Sequence, residues 1–161
     1  MDKPTLAPFT ARDGENLALY EWPMEAWHAD DALPPRAVVL IVHGLGEHAC
    51  RYDHVARQLL DWGFAVRAYD QRGHGESGGV RGALSGEALL LEDLAEVVDD
   101  TRLRARQLLQ DPAAAPLPLI LLGHSLGGLV VGRFVSLKVR PGPAAVAGHA
   151  GGCHPPPRPG L

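Results

Sequence analysis

Three short, almost purely apolar runs mark out this chain, at residues 37–42, 64–69 and 117–122. Each has the length of a strand, and a run without polar alternation describes a strand covered on both faces. Between them the period lengthens to that of a helix. Tyr52, Val55, Ala56, Leu59 and Leu60 give residues 51–61 one packed side, and Gly63 ends that element. Leu90, Leu94, Val97, Val98, Ala105 and Leu108 do the same for residues 87–110, which Asp111-Pro112 closes. A third helix should begin near Ser125 and run towards Val139. Upstream, residues 5–10 and 17–22 read as two strands around an Asp-Gly turn, although their alternation is imperfect. Residues 23–36 read as a surface loop, and the glycine-rich residues 71–82 as another.

Strands alternating with helices place the chain in the α/β class, with a mostly parallel sheet flanked by helices and joined by right-handed crossovers. A length of 161 residues, 46% of them hydrophobic, suits one domain with a real core. That domain is expected to end at residue 139. Residues 140–161 hold six prolines and five glycines and read as an irregular tail, because proline fixes the backbone and removes donors. The abrupt change of character suggests a truncated or altered continuation of a longer protein.

The formal net charge of -4 is spread along the chain, and no basic cluster points to nucleic acid or an anionic membrane. Arg102, Arg104 and Arg106 are expected to decorate the wet face of a helix. Cys50 and Cys153 make neither zinc spacing nor a disulfide framework, which favours a reducing, cytoplasmic setting. No secretory leader pattern opens the chain, and no apolar run could span a bilayer. Oligomeric state is not legible.

The candidate chemistry sits where strands end. Gly123-His124-Ser125-Leu126-Gly127 follows the third apolar run directly and fits a serine raised on a sharp strand-to-helix turn. Gly123 and Gly127 remove side chains that would collide there, and Gly128 lets the new helix approach the sheet. His43-Gly44-Leu45-Gly46 follows the first run. Gly44 and Gly46 let that loop curl so that the Leu45 amide, with that of Leu126, offers two donors to an oxyanion. His43 comes too early to be a triad base and is expected to hold its own loop in shape. A third segment, residues 70–77, reads as a tight loop braced by Asp70 and Arg72. It has scattered carboxylates and no Walker lysine, so phosphate and metal readings are weaker. The plainer alternative makes Ser125 a helix cap in an ordinary turn. A dinucleotide site lacks its G-x-G-x-x-G fingerprint.

Taken in order, H-G-L-G-E-H at 43–48, Tyr52, D-Q-R-G-H-G-E-S at 70–77, Gly79, Arg81, Asp93-Leu94 and G-H-S-L-G-G at 123–128 resemble the α/β-hydrolase superfamily. The resemblance is closest to the monoacylglycerol lipase and lysophospholipase branch, of serine aminopeptidase S33 type, and covers roughly residues 10–138. It implies Ser125 as nucleophile, the amides of Leu45 and Leu126 as oxyanion donors, and a small acyl-ester or lipid substrate. It also implies an acyl-enzyme without metal or organic cofactor, and a helical cap through which a membrane surface could be touched. The family's acid and base follow the nucleophile. Here no Asp or Glu follows Ser125, and His149 and His154 lie in the Gly/Pro-rich stretch, so acid and base are unassigned. The expectation is therefore the N-terminal part of a hydrolase fold, lacking later strands and cap, and weak or inactive as an enzyme. The alternative is a non-catalytic binding or regulatory protein on the same partial fold.

Overall fold

A computed structural model describes residues 3–22, 33–83, 86–109, 111 and 113–138. The irregular tail expected over 140–161 lies outside the described residues, as does most of the loop expected at 23–36. The strands are β1 (Thr5–Thr10), β2 (Asn16–Glu21), β3 (Val38–Val42), β4 (Ala65–Tyr69) and β5 (Leu119–Gly123). The α-helices are α1 (Asp53–Asp61), α2 (Glu87–Gln107) and α3 (Leu126–Lys138).

The three apolar runs become the parallel block of one sheet, in the order β1-β2-β4-β3-β5. β3 lies between β4 and β5 and runs parallel to both, while β1 and β2 join as an antiparallel hairpin on the β4 side. Every residue of β3 and β4 is buried, as the absence of alternation requires. β5 starts two residues later than the apolar run because Pro118 has no amide to donate. Its carbonyl still accepts from the Val38 amide at 2.9 Å.

Side chains alternate across the sheet and feed two cores. Leu40, Val42, Leu17, Leu19 and Tyr69 pack against Leu90, Leu94, Val97 and Val98 of α2 and Val130 and Phe134 of α3. Val39, Ile41, Val66, Ala68, Tyr20 and Trp22 pack on the other face, against Tyr52 and Ala56 at α1. The architecture is thus helix, sheet, helix, with α1 alone on its face among the described residues.

Helix ends depart modestly from the pattern. A single 3₁₀ turn, Ala49–Tyr52, precedes α1 and brings Tyr52 to the core before the regular helix begins. Gly63, at φ +84, closes α1 in a left-handed cap, with amides of Gly63 and Phe64 returning to Leu60 and Leu59. α2 stops at Gln107, earlier than its apolar period suggested.

Two buried arginines explain the polar interruptions. Arg67, midway along β4 and 2% exposed, meets Glu21 at 3.0 Å, Asp100 at 2.9 Å and the Thr101 hydroxyl at 3.0 Å. Arg104 also reaches Glu21 at 3.0 Å, so this member of the basic run is drawn into an ion pair and not left on the wet face. Arg72 donates twice to Asp93 of α2, at 3.0 and 2.8 Å, and reaches Asp13 of the β1–β2 turn at 2.8 Å. Among the described residues no helix is long and apolar enough to cross a membrane.

Candidate active site

The site is assembled where β5 hands over to α3. β5 runs beside β3 with Gly123 opposite Val42, and the His124 amide extends that ladder by donating to the Val42 carbonyl at 3.1 Å. Two residues later α3 has begun, with Gly127 N–H returning to the His124 carbonyl at 2.9 Å and Leu129 N–H to the Ser125 carbonyl at 3.1 Å. A reversal this short forces Ser125 to a left-handed φ of 55°, alone in that region among the described non-glycine residues. Its side chain is exposed. The flanking glycines follow from space. A Cβ on Gly127 would run into the Val42 carbonyl oxygen and lie 2.6 Å from that of His43. A Cβ on Gly123 would lie 2.5 Å from the Gly127 oxygen. Gly128 is less constrained, its added Cβ meeting the Gly123 oxygen at 3.3 Å.

The loop after β3 lies against this turn. A Cβ on Gly44 would sit 3.2 Å from Ser125 Cβ and 3.3 Å from the His124 carbonyl oxygen. Gly46 takes a left-handed φ of +70 and Leu45 is exposed. The backbone around Leu45 is therefore carried on residues that touch the Ser125 turn, while the Leu126 amide belongs to the first turn of α3, where a helix leaves its N–H groups without internal partners.

His43 is fully buried behind the loop. Its Nε2 accepts the Gln71 amide N–H at 2.8 Å, which leaves Nδ1 to donate to the Gly44 carbonyl at 2.7 Å. Gln71 Nε2 donates to the His43 carbonyl at 2.5 Å. Burial lowers the His43 pKa, so the ring is held neutral in this tautomer. Asp70 is buried too. Its carboxylate accepts from the amides of Ala49 (2.6 Å) and Glu76 (2.9 Å) and from the Tyr20 hydroxyl (3.1 Å). Asp70 and Arg72 thus tie the 70–77 loop to β2, α2 and the turn before α1. His48 and His54 are exposed; His149 and His154 lie outside the described residues. Among the described residues, no group of three or more His, Cys, Asp or Glu side chains could hold a metal ion.

One residue that the sequence reading passed over stands at the centre of this arrangement. Glu47 Oε2 accepts from the Gly44 amide at 2.9 Å and the Tyr52 hydroxyl at 2.7 Å, and lies 3.2 Å from His124 Nδ1. The Tyr52 hydroxyl, then the Gly44 amide, hold its carboxyl down at about 2, while burial and the Glu47 hydrogen bond push Tyr52 up to about 12. The available signal was a carboxylate three residues after a strand-end glycine and five before an inward tyrosine. Nothing in the spacing announces His124, 77 residues further on.

Comparison with known proteins gives the family and the fold. The serine aminopeptidase S33 family pattern matches residues 33–158, well over half of the chain. The chain belongs to the serine aminopeptidase S33 family. Monoacylglycerol lipase of Mycolicibacterium smegmatis is 43% identical over 107 residues, 66% of this S33 chain and 34% of the relative. Monoglyceride lipase of Homo sapiens is 35% identical over 108 residues, 67% of this chain and 32% of the relative. The chain thus spans about a third of the length of these two relatives. A soluble variant of monoglyceride lipase from Saccharomyces cerevisiae, solved with a substrate analogue, superposes with a TM-score of 0.69 over 86% of this chain and 41% of its own. At 23% identity that likeness speaks for the fold, an α/β-hydrolase fold of which this S33 chain supplies the N-terminal part.

Proposed function

We propose that this chain bears the nucleophile of a carboxylic ester hydrolase acting on monoacylglycerols, lysophospholipids or similar small acyl esters, through an acyl-enzyme on Ser125. The observation that carries the proposal is the left-handed Ser125 between β5 and α3, with the Gly44 backbone packed on its turn. A serine pinned in this way cannot withdraw into the helix, and this reading sets its Oγ between the loop amide of Leu45 and the helix-end amide of Leu126.

In this reading Ser125 Oγ attacks the ester carbonyl carbon. The carbonyl oxygen gathers negative charge and is met by the Leu45 and Leu126 N–H groups and by the positive end of α3. Collapse of the adduct expels the alcohol and leaves an ester on Ser125, which water then cleaves. A base must take the serine proton and return it to the leaving alcohol. His43 is excluded from that task, because both its ring nitrogens are engaged inside the fold. With no Asp or Glu after Ser125 in the sequence, acid and base stay unassigned, and turnover by the 161-residue chain should be slow. The lipid-ester class rests on the names of the relatives and on the family. The chemistry calls for no metal or organic cofactor, and a cytoplasmic setting belongs to the same reading.

The test is covalent. The purified chain is incubated with a fluorophosphonate at raised pH, and the adduct is located by peptide mass spectrometry. A phosphonyl group on Ser125, absent in Ser125→Ala, is the expected result, together with p-nitrophenyl butyrate turnover well below that of a complete hydrolase. A chain that folds but never labels at Ser125 would overturn the proposal and favour the non-catalytic binding reading.

A further inference from the structure

Glu47 belongs to none of the roles above, yet its carboxylate is the meeting point of three separate segments. Gly44 comes from the loop after β3, Tyr52 from the 3₁₀ turn before α1, and His124 from the residue that precedes Ser125. All three bonds converge on one oxygen, Oε2. The approach depends on Gly44 having no side chain, since a Cβ there would stand 2.8 Å from that same oxygen. His124 is also fixed through its backbone, its amide on the Val42 carbonyl and its carbonyl under the Gly127 amide. The path from the end of β3 through Gly44 and Glu47 to His124, and back through the β3–β5 ladder, is a closed ring with Ser125 on its rim.

A ring of this kind fixes a distance. Among the described residues no other side-chain hydrogen bond joins the loop bearing Leu45 to the Ser125 turn, so without the carboxylate the loop beyond Gly44 can lift. We propose that Glu47 is a positioning residue that sets the separation between the Leu45 amide and Ser125 by binding Gly44, Tyr52 and His124 together; this rests on Ser125 being the nucleophile. The role is geometric, since an anion near a developing oxyanion would by its charge alone oppose the reaction. Here three donors occupy the charge.

The two accounts predict opposite results, which makes the test direct. Second-order rates of fluorophosphonate labelling at Ser125 are measured for the native chain, Glu47→Ala, Glu47→Gln, Tyr52→Phe and the Tyr52→Phe/Glu47→Ala pair, with melting temperatures alongside. Misplacement of an amide donor by about an ångström slows such a step about 100-fold, so Glu47→Ala should label about 10- to 100-fold more slowly. Glu47→Gln keeps an acceptor oxygen at the same reach and should recover to within about threefold of the native rate. Tyr52→Phe should slow labelling a few-fold alone and add nothing in the Glu47→Ala background, because both act through one network. Equal or faster labelling in Glu47→Ala, faster labelling in Glu47→Gln, or additive effects in the pair would overturn the inference. So would a Glu47→Ala chain that melts earlier yet labels at the native rate while folded. If the native chain forms no Ser125 adduct, the nucleophile assignment itself falls; an adduct indifferent to Glu47 removes this inference alone.

Discussion

At the scale of single residues, the most informative angle in the molecule is the φ of 55° at Ser125. An L-residue held there costs about 1–2 kcal/mol, and glycine escapes most of that cost while losing more chain entropy on folding. Ser125→Gly is therefore expected to stabilise the chain by about 0.5–1 kcal/mol in urea denaturation and to abolish labelling. Ser125→Ala keeps the strained angle and should leave stability within about 0.5 kcal/mol of native. A destabilised Ser125→Gly would mean that the hydroxyl contributes more to the fold than the backbone strain removes. The same scale shows where sequence reading stops. Gly123, Ser125 and Gly127 were readable because their meaning depends on neighbours along the chain. Glu47 was not, because its partners come from three segments that meet only once the sheet has formed.

At the scale of elements, two of the three glycines in α3 stand in opposite surroundings. Gly127 faces the end of β3, and a Cβ would strike the Val42 carbonyl, which is backbone and cannot turn aside. Gly132, two turns from the start of α3, has nothing within 4 Å of an added Cβ. Gly127→Ala should cost about 3 kcal/mol or more by forcing strand and helix apart. Gly132→Ala should stabilise by about 1 kcal/mol through helix propensity. Paired urea melts of the two variants read both effects, and similar values would break the argument that packing on β3 sets the turn. Most elements were legible, because strand-length apolar runs fit strands covered on both sides, as β3 and β4 are, although β5, at the edge of the sheet, is only half-buried. The charges within them were not. Arg67 looks like a defect in the run at 64–69 until Glu21, Asp100 and Thr101 arrive from β2 and α2. The strand order was equally hidden, since the N-terminal hairpin joins the parallel block beside β4 and not beside its sequence neighbour β3.

At the scale of the whole molecule, buried and bonded titratable groups make the fold acid-sensitive in two stages. His43 is pushed below its ordinary value of 6.5 by burial. The unfolded chain then binds a proton near pH 6.5 that the folded chain refuses, so stability falls as the pH drops below that value. Glu47 is held at about 2 against an ordinary 4.5, and the Arg72 hydrogen bond holds Asp13 below its ordinary 3.8. Their stabilisation is complete above the unfolded values and is lost as the pH falls towards the folded ones. Denaturation free energies measured from pH 8 to pH 3 should decline first below pH 6.5 and more steeply below pH 4.5. In His43→Gln the first decline should vanish, and its persistence would exclude His43 as the source. Amide hydrogen exchange should be slowest in β3, which is covered on both faces and paired on both edges.

The Val42 carbonyl receives the His124 amide and fills the space that a side chain at 127 would need. Residues 42–47 and 123–128 therefore cannot be exchanged separately between relatives. A chimera that imports one stretch without the other inherits half of a joint, and transplantation should succeed only when both travel as a single cassette.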